Sequence, residues 1–314
     1  MKHIVENWDE KIYESALFDF YFNEMKVGVL DIETTGLNPM RNKFILGCLY
    51  DVTKGELHQV LAESRAEEPL ALAEYLELIA DVDVVITFNG RHFDMPFIEK
   101  RWSGCRRDVA YLKQEEYGDG QWAPEGAAVY DLDIYQVLDK HSQLRKLLPN
   151  LKQKTVEDYM GFWMSREDEI SGAESVELYN HYEATADSEA EARILLHNND
   201  DVRQLTRLSK AITKSDFHKA MFHLGFPVKC GEHLLEVKNI RQTRKGLVAS
   251  GRQLRNPVEY MGFEFNGEPI ETRFHRGEFE FMAPMVLQDE IDYRQTNGFV
   301  KEFLKLLFER EIDL

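Results

Sequence analysis

Between Lys26 and Leu61 three β-strand patterns follow one another with no helix between them: KVGVLDI (Lys26–Ile32), FILGCLY (Phe44–Tyr50) and ELHQVL (Glu56–Leu61). The last is entered through the turn Lys54-Gly55. Connections this short suit antiparallel neighbours. The period then changes. Glu67–Asp81 carries Leu70, Leu72, Ala73, Leu76, Leu78 and Ile79 at helical spacing. VDVVITF (Val82–Phe88) is the β-branched run of a buried strand. A helix follows from Phe93, and Ala128–Leu132 reads as a short strand leading into a helix over Ile134–Asp139. A helix around Thr155–Met160 stops at Gly161, a natural C′ residue, and a long helix covers Asp187–Lys210. Antiparallel strands followed by helices alternating with strands specify an α/β fold, a mixed sheet flanked by helices.

After about Lys214 the texture changes. Leu234–Val237, Val258–Phe265, Pro269–His275 and Glu278–Val286 read as short strands. Asn266-Gly267 and Arg276-Gly277 are candidate two-residue hairpin turns. Phe299–Phe308 is a closing amphipathic helix. The expected division is a first domain over 1–213 and a small β-rich domain over 214–314.

A chain of 314 residues needs no disulfide or zinc to hold its core. Its three cysteines, Cys48, Cys105 and Cys230, cannot all pair and none forms CxxC. That points to a reducing compartment and away from a disulfide scaffold or zinc finger. MKHIVENWDEK lacks the apolar stretch of a signal peptide, and no apolar run approaches the ~20 residues of a membrane span. The expectation is a cytoplasmic protein with no membrane partner. The net charge of −18 is lopsided: residues 1–213 hold 23 Lys+Arg against 40 Asp+Glu, and residues 214–314 hold 15 against 16. A strongly acidic domain repels phosphate backbones at long range. Nucleic acid would therefore have to be attracted by bound cations or by a local basic patch.

Three segments carry chemistry. In Leu30-Asp31-Ile32-Glu33-Thr34-Thr35-Gly36-Leu37, Asp31 and Glu33 share one face of a strand while Leu30 and Ile32 point into the core. Adjacent carboxylates at a strand end are costly without a cation, and such oxygen donors suit Mg²⁺ or Mn²⁺ rather than zinc. Taken alone, a strand end with two solvated acids explains the tripeptide as well. In Thr87-Phe88-Asn89-Gly90-Arg91-His92-Phe93-Asp94-Met95-Pro96, a buried strand ends, Asn89-Gly90 turns the chain, and Asp94 falls in the first turn of a helix, where the dipole favours an acid. In Leu196-His197-Asn198-Asn199-Asp200-Asp201-Val202, spacing of four puts His197 and Asp201 on one helix face. A carboxylate ligand with a nearby proton acceptor is what water activation beside a metal requires.

In order and separation the three segments resemble the DEDD superfamily of 3′→5′ exonucleases, which have the ribonuclease H-like fold. The first is similar to its DIETTGL motif, the second to FNGxxFDxPFI, and the third to aromatic-Asn-x-x-Asp-Val. The likeness extends to YprB-like ribonuclease H-like proteins through Tyr130-Asp131-Leu132-Asp133, Asn150-Leu151…Tyr159-Met160-Gly161 and Ile170-Ser171-Gly172…Leu178-Tyr179. It spans roughly residues 25–210.

The resemblance implies a metal-dependent 3′→5′ exonuclease acting by a two-metal mechanism on the 3′ end of single-stranded DNA or RNA. It implies two divalent cations, Mg²⁺ or Mn²⁺, held by Asp31, Glu33, Asp94 and Asp201. Asp31 would bridge them, Glu33 and Asp201 would complete the ion that activates water, and Asp94 would serve the ion at the leaving 3′-oxygen. Thr34, Gly36 and Leu37 would contact the terminal nucleotide, with Leu37 wedging against a base. Asn89 and Phe93 would lie near the sugar–phosphate. In one respect the chain departs from the family. A catalytic His there usually precedes the last Asp by five residues and a Tyr by four, so His197 occupies the tyrosine-type slot. Asp200 is an alternative last ligand, though Val202 favours Asp201, and Asp133 reads as a helix cap rather than a ligand.

The C-terminal region has no catalytic constellation. It holds Lys238, Arg241, Arg244, Lys245, Arg252 and Arg255 with no intervening acid. These read either as a phosphate-tracking loop, with Arg241, Arg244 and Lys245 as substrate contacts, or as a solvated charge run. The same region could instead take a protein partner. A second functional reading is a nucleic-acid-binding or scaffold protein on a catalytically weak ribonuclease H-like fold.

Overall fold

The computed structural model describes residues 1–117, 126–162, 165–167, 170–284 and 291–312. In chain order the elements are β1 (Lys2–Asn7), α1 (Ala16–Phe22), β2 (Val27–Thr34), β3 (Phe44–Asp51), β4 (Glu56–Leu61), α2 (Glu68–Ala80), β5 (Val84–Thr87), α3 (Asp94–Tyr117), β6 (Tyr130–Asp133), α4 (Ile134–His141), α5 (Leu144–Leu147), α6 (Gln153–Met160), α7 (Gly172–Thr185) and α8 (Ser188–Leu208). They continue with α9 (Phe217–Leu224), β7 (Phe226–Cys230), β8 (His233–Thr243), β9 (Gly246–Arg255), β10 (Tyr260–Gly262), β11 (Glu271–His275), β12 (Glu278–Ala283) and α10 (Tyr293–Leu307). The chain divides into two compact units. The first comprises Met1–Glu14, Lys26–Asp139 and Leu144–Ala211; the second comprises Ser15–Met25, Lys140–Gln143 and Ile212–Leu314.

The first unit is built on a six-stranded mixed sheet in the order β1-β4-β3-β2-β5-β6. β1 to β4, β4 to β3 and β3 to β2 pair antiparallel, while β2–β5 and β5–β6 pair parallel. This is the mixed α/β sheet that the sequence pattern specifies. The edge strand β1 has no such signal because KHIVEN is polar and mostly exposed, so it lacks an apolar run. On one face Leu30 and Ile32 of β2 join Leu72, Leu76 and Ile79 of α2 and Phe97, Ile98 and Trp102 of α3 in a buried cluster. On the other, Ile45, Leu46 and Leu61 pack with Tyr179 and Tyr182 of α7 and Ile194 of α8. Helices thus cover both faces, and the central strand β2 is held between them. α6 ends at Gly161 in the left-handed conformation (φ 80°), and α7 opens with a capping box between Ser171 and Glu174.

Gly47 of β3 lies opposite Ile32 of β2, under the buried ring of Tyr75. A Cβ there would sit 2.6 Å from that ring. The Tyr75 hydroxyl donates to the carbonyls of Cys48 (2.8 Å) and Asp31 (3.3 Å), so the ring buttresses the strand that carries the acids. Gly47→Ala is therefore expected to destabilise the protein by about 1–3 kcal/mol through overpacking. An unchanged urea midpoint would mean that Tyr75 moves aside without loss.

The second unit contains an antiparallel sheet in the order β10-β11-β12-β9-β8-β7. Phe303 of α10 packs on Phe281 at 4.4 Å between ring centroids and on Phe265 at 5.3 Å. α1 belongs here: Asn297 of α10 donates to the Tyr21 hydroxyl at 2.7 Å. Both turn dipeptides have positive φ throughout, and Arg276-Gly277 joins β11 to β12. The expected strand over Val258–Phe265 is confined to Tyr260–Gly262, with Phe265 bridging only to Glu268. Of the expected strand Glu278–Val286, Met285 and Val286 lie outside the described residues.

The basic stretch from Lys238 to Arg255 is not a loop. It forms the end of β8 and all of β9, joined by a turn at Arg244-Lys245, with Thr243 paired to Gly246. Neighbouring strands bring acids to it: Arg252 meets Glu236 at 2.7 Å and Arg241 meets Glu280 at 3.6 Å. Among the described residues no helix is long and apolar enough to cross a membrane.

Candidate active site

Strand alternation turns Asp31 and Glu33 away from Leu30 and Ile32, towards α8. The register of β2 against β3 shifts between Glu33 and Thr34, at the end of the acidic pair. Bulges of this kind re-aim side chains beside active sites. From α8, Asn198 donates through Nδ2 to Asp31 Oδ2 at 2.7 Å, and His197 Nε2 lies 3.4 Å from Glu33 Oε1 and 3.7 Å from Asp201 Oδ2. Asp94, in the first turn of α3, accepts at Oδ1 from the Ile32 amide at 3.2 Å, placing its carboxylate at the strand position between Asp31 and Glu33. Asp31, Glu33, Asp94, His197 and Asp201 are thus gathered around one strand end.

The electrostatics are those of a site short of positive charge. Burial, then the charges of Asp94, Asp201 and Glu33, push the Asp31 carboxyl well above its ordinary value, against the Asn198 hydrogen bond. Asp94 is pushed up to about 7, first by burial, with the charges of Asp133 and Glu33 adding and amide hydrogen bonds opposing. One cation is already at hand. Arg166, almost fully buried, donates to Glu157 at 2.9 Å and lies 2.6 Å from Asp201 Oδ1. Among the described residues, ligand atoms of Glu33, His197 and Asp201 all fall within 4.8 Å of one another. The carboxylate oxygens gathered here are donors that fit a hard divalent cation, with the His197 imidazole beside them.

The second segment is clamped from β6. Asn89, at φ 69°, donates its amide to Asp133 Oδ1 at 2.9 Å, and the Arg91 amide reaches Oδ2 at 3.3 Å. Asp133 Oδ1 also accepts from the Gln136 amide at 3.2 Å, the cap expected of it. Its neighbour Asp131 accepts from Thr87 at 2.6 Å, and burial followed by the Asp133 charge pushes it well above its ordinary value. Phe93 packs against the core cluster beside Phe97. In the first segment Thr34 Oγ1 donates to the Gly36 carbonyl at 3.0 Å. Gly36 has φ 151°, and a Cβ there would lie 2.9 Å from Asn42. Leu37 is 82% exposed. Asp200 is fully buried and accepts the Glu167 amide at 2.6 Å, whereas Asp201 faces His197. Arg241, Arg244 and Lys245 belong to the second unit.

Three participants have no assignment from the sequence. Asn198 stands in the third segment, and the Asn-x-x-Asp spacing was its available signal. Arg166 and the Glu157 that pairs with it had none, because the approach of Arg166 to Asp201 is set by chain folding between α6 and α8.

A mixed sheet covered by helices on both faces, with carboxylates converging on its central strand, defines a ribonuclease H-like fold carrying an acidic site. The family model described as RNase_H superfamily matches residues 29–213, and the chain belongs to that superfamily. Among solved structures it is similar to the family B DNA polymerase of the hyperthermophilic archaeon Pyrobaculum calidifontis, at 18% identity and a TM-score of 0.45. That match takes in 60% of this chain and 24% of the polymerase chain. No curated protein matches.

Proposed function

We propose that the protein is a cytoplasmic, metal-dependent 3′→5′ exonuclease of the DEDD type that hydrolyses phosphodiester bonds at the 3′ end of single-stranded nucleic acid. The observation that carries this reading is the convergence of Asp31, Glu33, Asp94, His197 and Asp201 on the end of β2. Buried thiols at Cys48, Cys105 and Cys230, with no disulfide among them, support a reducing compartment.

Asp31, Glu33, Asp94 and Asp201 would hold two divalent cations, Mg²⁺ or Mn²⁺. When bound, these would lower the pKa of an attacking water and offset charge on the scissile phosphate. Asn198 fixes the Asp31 carboxylate, and the Ile32 amide fixes Asp94. His197 Nε2 takes the proton of the water, its ring held on the face of α8 that presents Asp201. Thr34, Gly36 and the exposed Leu37 receive the terminal nucleotide, and Asn89 and Phe93 border its sugar–phosphate. On the second unit, Arg241, Arg244 and Lys245 would contact phosphates of a single strand. Turnover of a labelled oligonucleotide with and without Mg²⁺ or Mn²⁺ tests the reading.

His197→Ala is expected to lower turnover by about 100-fold or more, the usual size of a general-base contribution. Mn²⁺ should still raise the melting temperature of that variant, and His197→Tyr should keep part of the activity. Unchanged turnover in His197→Ala would remove the imidazole from the chemistry. One observation favours a second reading, a slow or inactive nucleic-acid-binding scaffold: Arg166 stands 2.6 Å from a ligand oxygen of Asp201. That reading predicts binding of a single strand with no metal-dependent turnover.

A further inference from the structure

The sheet of the second unit has two unlike faces. Phe274, Phe279 and Phe281 are buried, and the residues alternating with them, Arg273 and Glu280, pair directly across β11 and β12 on the exposed side. A furrow of about 540 Å³ on this side is lined by Arg241, Arg244, Lys245 and Arg273, together with Met261 and Phe263. A second furrow of about 460 Å³ shares Arg273 and Glu280 with the first and continues to Lys238 and Arg252. In the first furrow four cations face two carboxylates, Glu271 and Glu280, an excess of positive charge in a chain of net charge −18. Arg241 leans on Glu280 at 3.6 Å, whereas Arg244, Lys245 and Arg273 make no ion pair among the described residues. Phe263 is 68% exposed and Met261 61% exposed, so an aromatic ring and a thioether stand in solvent beside these cations.

Cations spaced across a sheet and an exposed ring match the two repeating features of a single strand, its phosphates and the faces of its unpaired bases. A duplex hides its base faces, and an acidic peptide would use the cations but leave the ring idle. We propose that this face binds single-stranded nucleic acid, with Arg241, Arg244, Lys245 and Arg273 on phosphates and the Phe263 ring stacking on a base. The ligand class rests on the exonuclease reading above; the test does not.

The full-length chain in EDTA is titrated against a fluorescein-labelled single-stranded 12-mer across a series of KCl concentrations, read by anisotropy. EDTA silences hydrolysis and metal-mediated binding together. The affinity should fall with salt by about 0.7 log units per log unit for each phosphate neutralised. Arg241→Gln/Arg244→Gln/Lys245→Gln should flatten that slope by about 0.7 for each phosphate no longer neutralised. Phe263→Ala should weaken binding about tenfold with the slope retained. Phe263→Leu keeps the apolar volume without the ring and should fall between, which guards against loss of fold in the alanine variant. Because binding is read in EDTA, failure of the nuclease chemistry and failure of this surface are distinguishable. A wild-type slope in the triple variant with wild-type affinity in both Phe263 variants would overturn the proposal. So would absence of binding at low salt, or displacement of the strand by poly-glutamate with no effect of the Phe263 variants, which would indicate an acidic protein partner.

Discussion

Asp31→Asn is expected to lower metal-dependent turnover on the order of 10³-fold while the fold persists. Asp31 is the acid on which the others converge. It is bound by Asn198, and the charges of Asp94, Asp201 and Glu33 bear on it. Asparagine keeps the shape and one acceptor oxygen but removes the charge. A loss of that size corresponds to about 4 kcal/mol of transition-state stabilisation, within the range of Lewis-acid charge stabilisation. The same substitution should raise the melting temperature of the metal-free protein, because burial and like charges disfavour the carboxylate. Activity lost with the melting temperature also lowered would instead mark Asp31 as a structural group.

The second large effect concerns pH. Asp94 is pushed up to about 7 in the folded protein, and Asp31 is raised as well. An unfolded aspartate titrates near ~4. Between these values the folded state keeps protons that the unfolded chain has released, so stability falls as pH rises. The metal-free protein should therefore lose a few kcal/mol from this site between about pH 4 and 7, or about 5–10 °C in melting temperature. Buried His58 and half-buried His141 and His218, held below their ordinary value first by desolvation, act in the opposite sense and lose stability as pH falls. The difference between wild type and Asp94→Asn across pH isolates the carboxylate. Mn²⁺ should erase that difference at pH 8 and have little effect at pH 5. A wild-type-minus-variant difference that is flat across pH 4–8 would contradict the raised pKa.

The sequence discloses most where an element carries its own burial pattern. FILGCLY and VVIT are buried end to end, and both are legible as strands. The polar edge KHIVEN is not, because its pairing to β4 depends on backbone groups that any sequence has. The basic hairpin reads as a loop or a solvated charge run for a related reason. Gly246, Ser250 and Gly251 break the alternation of β9, and the Glu280 that meets Arg241 comes from β12, out of view of local composition, while the Glu236 that meets Arg252 lies just before the basic run. At the site, motif spacing singles out the acids and His197. The Asn-x-x-Asp spacing marks Asn198 but not its bond to Asp31, which spans 167 positions, and the Arg166 approach to Asp201 joins a short segment to a helix with no local signature.

The most direct measurement follows a 5′-labelled single strand in time on a denaturing gel, with wild type and Asp31→Asn each in Mg²⁺ and in EDTA. The account predicts a ladder in wild type with Mg²⁺ that shortens progressively from the 3′ end, no ladder in EDTA, and none with Asp31→Asn. An uncut strand in wild type under every divalent cation, or an equal ladder from Asp31→Asn, would contradict it.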